Sequence, residues 1–181
     1  VWGDLQRAAG ATDRLAGLLA EEPDIQAPLN PIAPVSPAKG AVKFDGINFA
    51  YPARPDMPAL ANVSFEIAPG ETVALVGPSG AGKTTIFQML LRFYDPQSGA
   101  VSLDGIDVAS MAPRALRGNF GFVPQEPAIF STSVAENIRY GRPEATDAEV
   151  RAAAEAAAAL GFIEAMPEGF DADLGQKGVR L

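Results

Sequence analysis

The alternation of apolar and polar residues is clearest along Val42–Ala50, where a period of two predicts a β-strand with one buried face. Asp45-Gly46 interrupts this alternation and indicates a turn or a bulge. The short apolar run 72–76 is typical of a strand buried on both faces. Asp104-Gly105 lies between two apolar runs and predicts a β-hairpin. The further predicted strands are 62–67, 100–103 with 106–108 across the hairpin, and 119–123.

Helical patterns occur at both ends of the chain and once in the middle. Apolar residues recur every three or four positions along residues 1–20, which predicts an amphipathic helix. Another helix is expected at 83–93, directly after a glycine-rich stretch. Thr146 and Glu149 have the spacing of a capping box and predict the start of an alanine-rich helix that runs to residue 160. This order of elements favours an α/β core with an antiparallel side sheet and a helical insertion.

Composition adds a linker and excludes several kinds of site. Residues 23–37 contain five prolines, which predict a semi-rigid linker with the domain proper starting near Ala41. No run approaches the ~20 apolar residues that a membrane helix needs. The net charge of −8 disfavours nucleic acid as a partner, because such binding depends on neutralising phosphates. The sequence contains no histidine and no cysteine, which excludes a histidine general base and thiolate metal sites.

The glycine-rich stretch matches the phosphate-loop pattern G-x-x-x-x-G-K-[ST] at every fixed position, with Gly77, Pro78, Ser79, Gly80, Ala81, Gly82, Lys83 and Thr84. The glycines let backbone N–H groups converge on phosphate oxygens, because no side chain stands in the way. Lys83 supplies positive charge for the outer phosphates, and the Thr84 hydroxyl is an oxygen ligand suited to Mg²⁺. The helix that follows adds the positive end of its dipole. We therefore predict that this loop binds a nucleotide.

Segments on both sides of the loop carry further motifs: Phe-Ala-Tyr-Pro at 49–52, strands leading into the loop at 60–65 and 69–77, Val-Pro-Gln-Glu-Pro at 123–127 with the run to 138, and 168–171 with 175–181. Together they resemble the nucleotide-binding domain of exporter-type ABC transporters over residues 41–181. Gln176 stands where relatives usually carry glutamate. The resemblance implies an α/β fold: a P-loop NTPase core with an antiparallel β-subdomain and part of the ABC helical subdomain, incomplete at the C-terminus.

The resemblance also implies roles for individual residues. Tyr51 would stack on the adenine of ATP while its hydroxyl stays in solvent, and Thr85 would contact the α-phosphate. Gln125 would lie near Mg²⁺ and the attacking water, where a glutamine donates and accepts without adding charge. Lys83 and Gln125 are then the catalytic candidates, and Thr84 and Gln125 are the candidate metal ligands. The expected cofactors are ATP and Mg²⁺.

The same resemblance divides the chain into three parts and names its partners. Residues 1–22 would be a helix continuing from the last membrane helix, 23–40 a proline-rich linker, and 41–181 the N-terminal part of the ATP-binding domain. The expected partners are a fused transmembrane domain and a second nucleotide-binding domain, in a homo- or heterodimer, with no nucleic acid. The expected location is the cytoplasmic face of a membrane, with the bacterial inner membrane as the first candidate.

The expected function is export across a membrane driven by ATP binding and hydrolysis. Relatives continue past residue 181 into the signature motif and the catalytic glutamate, so this chain alone is expected to bind nucleotide weakly and to hydrolyse it negligibly. Two alternatives stay open. A soluble ABC-type ATPase is disfavoured by the exporter-like run 125–138, and a non-catalytic nucleotide-binding half of a heterodimeric transporter is disfavoured by the intact motifs.

Overall fold

The computed structural model describes residues 12, 14–17 and 19–175. Within the predicted helix 1–20, residues 12, 14–17 and 19 are helical, residue 20 lies in a turn, and the remaining positions lie outside the described part. Residues 176–181, which belong to the motif before the expected signature, also lie outside it. Among the residues that are described, no helix is both long enough and apolar enough to cross a membrane.

The first of two compact units, Val1–Gly121, is built around a four-stranded sheet. Every pair of neighbouring strands is antiparallel, in the order β2-β1-β3-β4, which confirms the predicted antiparallel sheet. The elements of this unit are strands β1 Val42–Ala50, β2 Pro58–Ile67, β3 Ser98–Leu103 and β4 Ile106–Asp107, helices α1 Lys83–Leu90 and α2 Pro113–Arg117, and a 3₁₀ turn at Val108–Ser110.

The turns of the sheet follow the local sequence. Asp104 and Gly105 have positive φ angles of 51° and 81°, as a two-residue hairpin between β3 and β4 requires. Gly46 has a φ of 60°, and the register of β1 shifts beside it against both neighbouring strands, which confirms the predicted bulge. β2 begins at Pro58, before the predicted start at residue 62, because its first residues pair with the end of β1.

The core of this unit holds α1 against the sheet. Phe44 and Ile47 of β1 are buried, and Phe65 of β2 stacks on Phe44 with 4.6 Å between ring centroids. Ile86 and Met89 of α1 are buried in the same cluster. Burying each of these side chains stabilises the fold by about 1.5–3 kcal/mol. The apolar face of α1 therefore fixes the helix that begins at the phosphate loop.

Two predicted strands do not form. Residues 72–76 and 119–123 contain no helix or strand, and Val76 and Val123 are 88% and 90% exposed. A strand needs a neighbour that pairs with its backbone N–H and C=O groups, and neither segment has such a neighbour within the described part of the chain. The apolar runs indicate segments suited to burial, but they carry no information on whether a pairing strand is present.

The proline-rich linker is fastened to one side of the sheet. Residues 23–37 contain no helix or strand, as predicted. The N–H group of Ile32 donates to the carbonyl of Ser110 at 2.8 Å. The carboxylate of Asp104 accepts the N–H groups of Lys39 and Ala41, both at 2.8 Å. The end of the linker is thereby tied to the β3–β4 hairpin.

The second compact unit, Phe122–Leu181, contains short helices joined by segments without helix or strand. Its elements are α3 Val134–Arg139, α4 Asp147–Ala156, α5 Leu160–Glu164 and a 3₁₀ turn at Gly169–Asp171. These elements surround a small apolar cluster formed by Val134, Ala154, Ile163, Ala172 and Leu174. This arrangement agrees with the predicted helical insertion.

The alanine-rich helix ends earlier than predicted. α4 stops at Ala156, and Ala158 has a φ of 55°. The N–H group of Ala159 donates to the carbonyl of Ala154, and that of Ala158 donates to the carbonyl of Glu155, both at 2.9 Å. These two bonds form a Schellman C-cap. Helix propensity did not indicate this end, because the turn is stabilised by packing of Ala159 against the apolar cluster of the second unit.

The start of α4 confirms the predicted capping box. The side-chain oxygen of Thr146 accepts the N–H group of Glu149 at 3.4 Å, and the carboxylate of Glu149 accepts the N–H group of Thr146 at 2.8 Å. The hydrogen bond from the Thr146 backbone, aided by the Thr146 hydroxyl and by Arg142, lowers the pKa of Glu149 to about 2. The ionised form of Glu149 is therefore the one that the folded chain stabilises.

We predict that Glu149→Gln lowers the free energy of unfolding at neutral pH and has a shrinking effect as the solution is acidified. The folded pKa of Glu149 lies below its ordinary value of 4.5, so its contribution is present above that pH and is lost as the pH falls towards 2. Urea unfolding of both proteins, followed by helical circular dichroism across this pH range, measures the difference. A difference that stays constant with pH would contradict the prediction.

Candidate functional site

Gly82 lies at the junction between the phosphate loop and α1. It is the N-cap of the helix and has a φ of 83°, in the left-handed region. A Cβ atom at this position would lie 2.6 Å from the carbonyl oxygen of Ala59 and 2.9 Å from Cδ2 of Leu60. Because β2 passes this close, the position accepts only glycine, and the start of α1 is held directly against β2.

The backbone at the start of α1 offers unpaired donors. In the described part of the chain, the N–H groups of Gly80, Gly82, Lys83 and Thr84 donate to no protein acceptor. The first turn of α1 contains no acidic residue, and no side chain caps it. Unpaired N–H groups and the positive end of the helix dipole together attract an anion. The loop therefore has the backbone chemistry of a phosphate site.

Lys83 lies against the loop that it follows. Its ammonium group donates to the carbonyl oxygens of Gly77 at 2.8 Å and Pro78 at 2.7 Å. The loop carbonyls thereby keep a positive charge beside the unpaired N–H groups. Both of its hydrogen bonds are to neutral oxygens that an anionic oxygen would outcompete.

Tyr51 follows β1 directly and is half-buried. Its ring packs edge-on against Phe49 and Tyr94, with centroid distances of 5.0 and 5.4 Å. Its hydroxyl lies 2.9 Å from the hydroxyl of Thr85 and donates to Oε1 of Gln88 at 2.6 Å. The expectation that this hydroxyl stays in solvent is wrong, because α1 supplies two polar partners for it. The adenine contact of Tyr51 and the α-phosphate contact of Thr85 stay predictions.

Thr84 gives the phosphate loop an oxygen ligand that suits Mg²⁺. Thr84 is exposed, and among the described residues its hydroxyl has no hydrogen-bond partner. The described residues contain no group of three or more His, Cys, Asp or Glu side chains that could hold a metal ion. The loop itself would contribute Thr84 to a metal ion, beside oxygens of a bound nucleotide. The unengaged hydroxyl is the kind of ligand that this hard cation prefers.

Gln125 belongs to the second compact unit and is exposed in a segment without helix or strand. Its role near Mg²⁺ stays a prediction. The loop that follows it is well organised. The carboxamide of Asn137 accepts the N–H group of Phe130 at 2.9 Å and donates to the carbonyl of Phe130 at 3.0 Å.

Sequence reasoning missed two glutamines that contact the neighbourhood of Tyr51. Gln88 accepts the hydroxyl of Tyr51, and Gln97 pairs through its carboxamide with the N–H and C=O groups of Ala50, both at 2.9 Å. A signal for Gln88 was present, because it follows Thr85 by three positions and shares its helix face. Gln97 carried no local signal, since its partner is 47 positions away in the sequence.

The phosphate-loop motif at 77–84, with α1 beginning at Lys83, is typical of nucleotide-binding proteins of the P-loop class. The sequence model of the family described as ABC transporter matches residues 60–174. Because this span is more than half of the chain, the chain belongs to the ABC transporter family. The predicted fold class is confirmed with it.

This chain is similar to two proteins that carry ATP-binding names. It is 44% identical over 182 residues to the mitochondrial potassium channel ATP-binding subunit of Xenopus tropicalis, covering 100% of this chain and 26% of that protein. It is 43% identical over 183 residues to ATP-binding cassette sub-family B member 10, mitochondrial, of Mus musculus, covering 99% and 26%.

A solved structure described as a bacterial Atm1-family ABC exporter with ATP bound matches with a TM-score of 0.88 at 38% identity, covering 99% of this chain and 31% of that one. The chain thus spans about a quarter of the curated relatives named above, 26% in both cases. At this identity the match extends beyond the fold to the sequence of the nucleotide-binding region, and the resemblance to exporters is confirmed.

We predict that Gly82→Ala destabilises the chain more than Gly80→Ala. Both glycines have left-handed φ angles, 83° and 80°, so either alanine costs about 1–2 kcal/mol in backbone strain. A Cβ at Gly80 meets nothing within 4 Å, whereas one at Gly82 overlaps Ala59. The overlap adds about 1–3 kcal/mol. Urea unfolding measures both variants, and equal destabilisation would show that the approach of β2 to Gly82 has no energetic consequence.

Proposed function

We propose that this chain is the ATP-binding part of an ABC exporter, which couples ATP binding and hydrolysis to the export of a substrate across a membrane. The observation that carries the proposal is the set of unpaired N–H groups at the start of α1, with the Lys83 ammonium beside them. Backbone donors of this kind favour the phosphates of a nucleotide over neutral ligands. Similarity to an exporter with ATP bound supports the same ligand.

Lys83 would act by exchanging acceptors. In the structure it donates to the carbonyls of Gly77 and Pro78, and both are neutral. A phosphate oxygen is a stronger acceptor for an ammonium group, because its negative charge adds an attraction between opposite charges to the hydrogen bond. The side chain would therefore turn to the outer phosphates of ATP while the loop backbone holds the rest of the polyphosphate.

Tyr51 is proposed to supply the face on which adenine stacks. The contacts with Phe49 and Tyr94 hold the ring by its edges, and the hydroxyl bonds to Thr85 and Gln88 hold its tip. A ring fixed in this way loses little conformational entropy when a base stacks on it. Thr85 is buried, with 4% of its surface exposed. Its hydroxyl, which bonds to that of Tyr51, would contact the α-phosphate.

Mg²⁺ is proposed to bind with the nucleotide, held on the protein side by the Thr84 hydroxyl and by Gln125. Bound there, the ion would neutralise charge on the phosphates. Hydrolysis needs several positioned groups that act together, and the family resemblance assigns most of them to positions after residue 181. Turnover by this chain alone is therefore proposed to be negligible.

The proposed partners are a fused membrane domain and a second nucleotide-binding domain. Names of relatives support this: they include a channel ATP-binding subunit and sub-family B members, each longer than this chain. The nucleotide site would face the cytoplasmic side of the membrane in a bacterial protein. The bacterial inner membrane is the location proposed, and two relatives are mitochondrial by name.

We predict that Lys83→Ala weakens ATP binding about 10- to 100-fold, because a charged hydrogen bond of about 1.5–3 kcal/mol is lost. Equilibrium titration with a fluorescent ATP analogue measures the affinity. Lys43→Ala is the matched control, since Lys43 is an exposed lysine on β1 that pairs with Glu66 at 3.0 Å. Equal affinity of the two variants would contradict the proposed site.

We predict that Thr84→Val removes part of the magnesium dependence of ATP binding, whereas Thr84→Ser keeps it. Valine has the shape of threonine but no oxygen ligand, and serine retains the hydroxyl. The measurement is ATP affinity with excess Mg²⁺ and with a chelator, for all three proteins. If Thr84→Val responds to magnesium as fully as the wild type, Thr84 is not a ligand.

A further inference from the structure

The hydroxyl of Tyr51 is bound to α1 by two side chains. It lies 2.9 Å from the hydroxyl of Thr85 and donates to Oε1 of Gln88 at 2.6 Å. Thr85 and Gln88 are three positions apart, which places them on one face of the helix. The same helix begins with Lys83 at the phosphate loop. The tip of Tyr51 is therefore tied to the helix that carries the phosphate-binding residues.

The hydroxyls of Tyr51 and Thr85 can each donate only one proton, and this determines which hydrogen bonds Gln88 makes possible. The proton of Tyr51 goes to the Gln88 oxygen, which is the shorter of its two contacts. Thr85 then donates its own proton to the Tyr51 oxygen. If Thr85 turns its proton to a phosphate oxygen, Tyr51 still has the Gln88 acceptor and stays hydrogen-bonded. Without Gln88, Tyr51 and Thr85 would each depend on the other.

The backbone of Tyr51 is held by a separate contact. The carboxamide of Gln97 pairs with the N–H and C=O groups of Ala50, the residue before Tyr51, with both distances 2.9 Å. This pairing extends the contact between β1 and β3 past the last backbone rung at Asn48 and Ser98. Gln97 positions the backbone next to Tyr51, whereas Gln88 positions the hydroxyl at the tip of its side chain.

We infer that Gln88 is a positioning residue for adenine-nucleotide recognition. It holds the hydroxyl of Tyr51 so that the ring stays oriented for the base while the Thr85 hydroxyl is released to a phosphate. The inference rests on the proposed function, because it requires ATP at the phosphate loop. It assigns a role to a side chain that lies outside the loop motif and acts only through Tyr51.

The test measures binding of ATP and of inorganic tripolyphosphate to the full chain by calorimetry. The variants are Gln88→Met, Tyr51→Phe and the double variant. Gln88→Met removes one hydrogen bond of the Tyr51 hydroxyl and Tyr51→Phe removes both. Each single change is expected to weaken ATP binding about three- to tenfold. The double variant should be no more than about twofold weaker than the weaker single one, because the hydrogen bond that Gln88→Met removes is already absent in Tyr51→Phe. Tripolyphosphate affinity should stay within about twofold, since it has no base.

Gln97→Met is the comparison variant. It removes the carboxamide that holds Ala50 and leaves the hydroxyl of Tyr51 untouched. When Gln97→Met is combined with Tyr51→Phe, their fold-losses of ATP affinity should therefore multiply. When Gln88→Met is combined with Tyr51→Phe, they should not. This contrast separates a residue that acts through the hydroxyl from one that acts through the backbone.

The inference is overturned by three results: unchanged ATP affinity in Gln88→Met, multiplying effects in the double variant, or an equal loss of tripolyphosphate affinity. The last would mean that Gln88 supports the loop and not the base. In each case, the proposed function still holds if Lys83→Ala loses affinity for both ATP and tripolyphosphate. A wild-type chain that binds neither ligand would contradict the proposed function and the inference with it.

Discussion

β2 passes so close to Gly82 that no side chain fits there, and the rest of the site depends on this contact. It fixes where α1 begins, and the burial of Ile86 and Met89 fixes how the helix then packs. With its start held against the sheet, the helix leaves its first N–H groups without acceptors among the described residues. An anion site arises from backbone geometry, and the side chains refine it.

One helix carries most of the recognition chemistry. Lys83 and Thr84 lie in its first turn, and Thr85 and Gln88 reach the hydroxyl of Tyr51 from one of its faces. A shift of α1 would therefore move the proposed phosphate ligands and the support of the Tyr51 ring together. The network of Tyr51, Thr85 and Gln88 thereby links the proposed phosphate site to the proposed base contact.

The sequence predicted the features that depend on local chemistry. The Asp104-Gly105 hairpin and the Thr146–Glu149 capping box are confirmed, because each is determined by residues within a few positions. The strands at 72–76 and 119–123 were wrong, since an apolar run does not show whether a pairing strand lies beside it. The same is true of the candidate site. The loop motif could be predicted from the sequence, whereas the contacts of Tyr51 with α1 depend on tertiary structure.

The central claim is that the loop before α1 binds the phosphates of ATP by replacing the acceptors of Lys83. A crystal structure of the chain with ATP and Mg²⁺ tests it most directly. The account predicts phosphate oxygens about 3 Å from the N–H groups of Gly80 and Gly82. It also predicts that the Lys83 ammonium has left the carbonyls of Gly77 and Pro78. A nucleotide bound elsewhere, or a Lys83 that keeps both carbonyls, would contradict it.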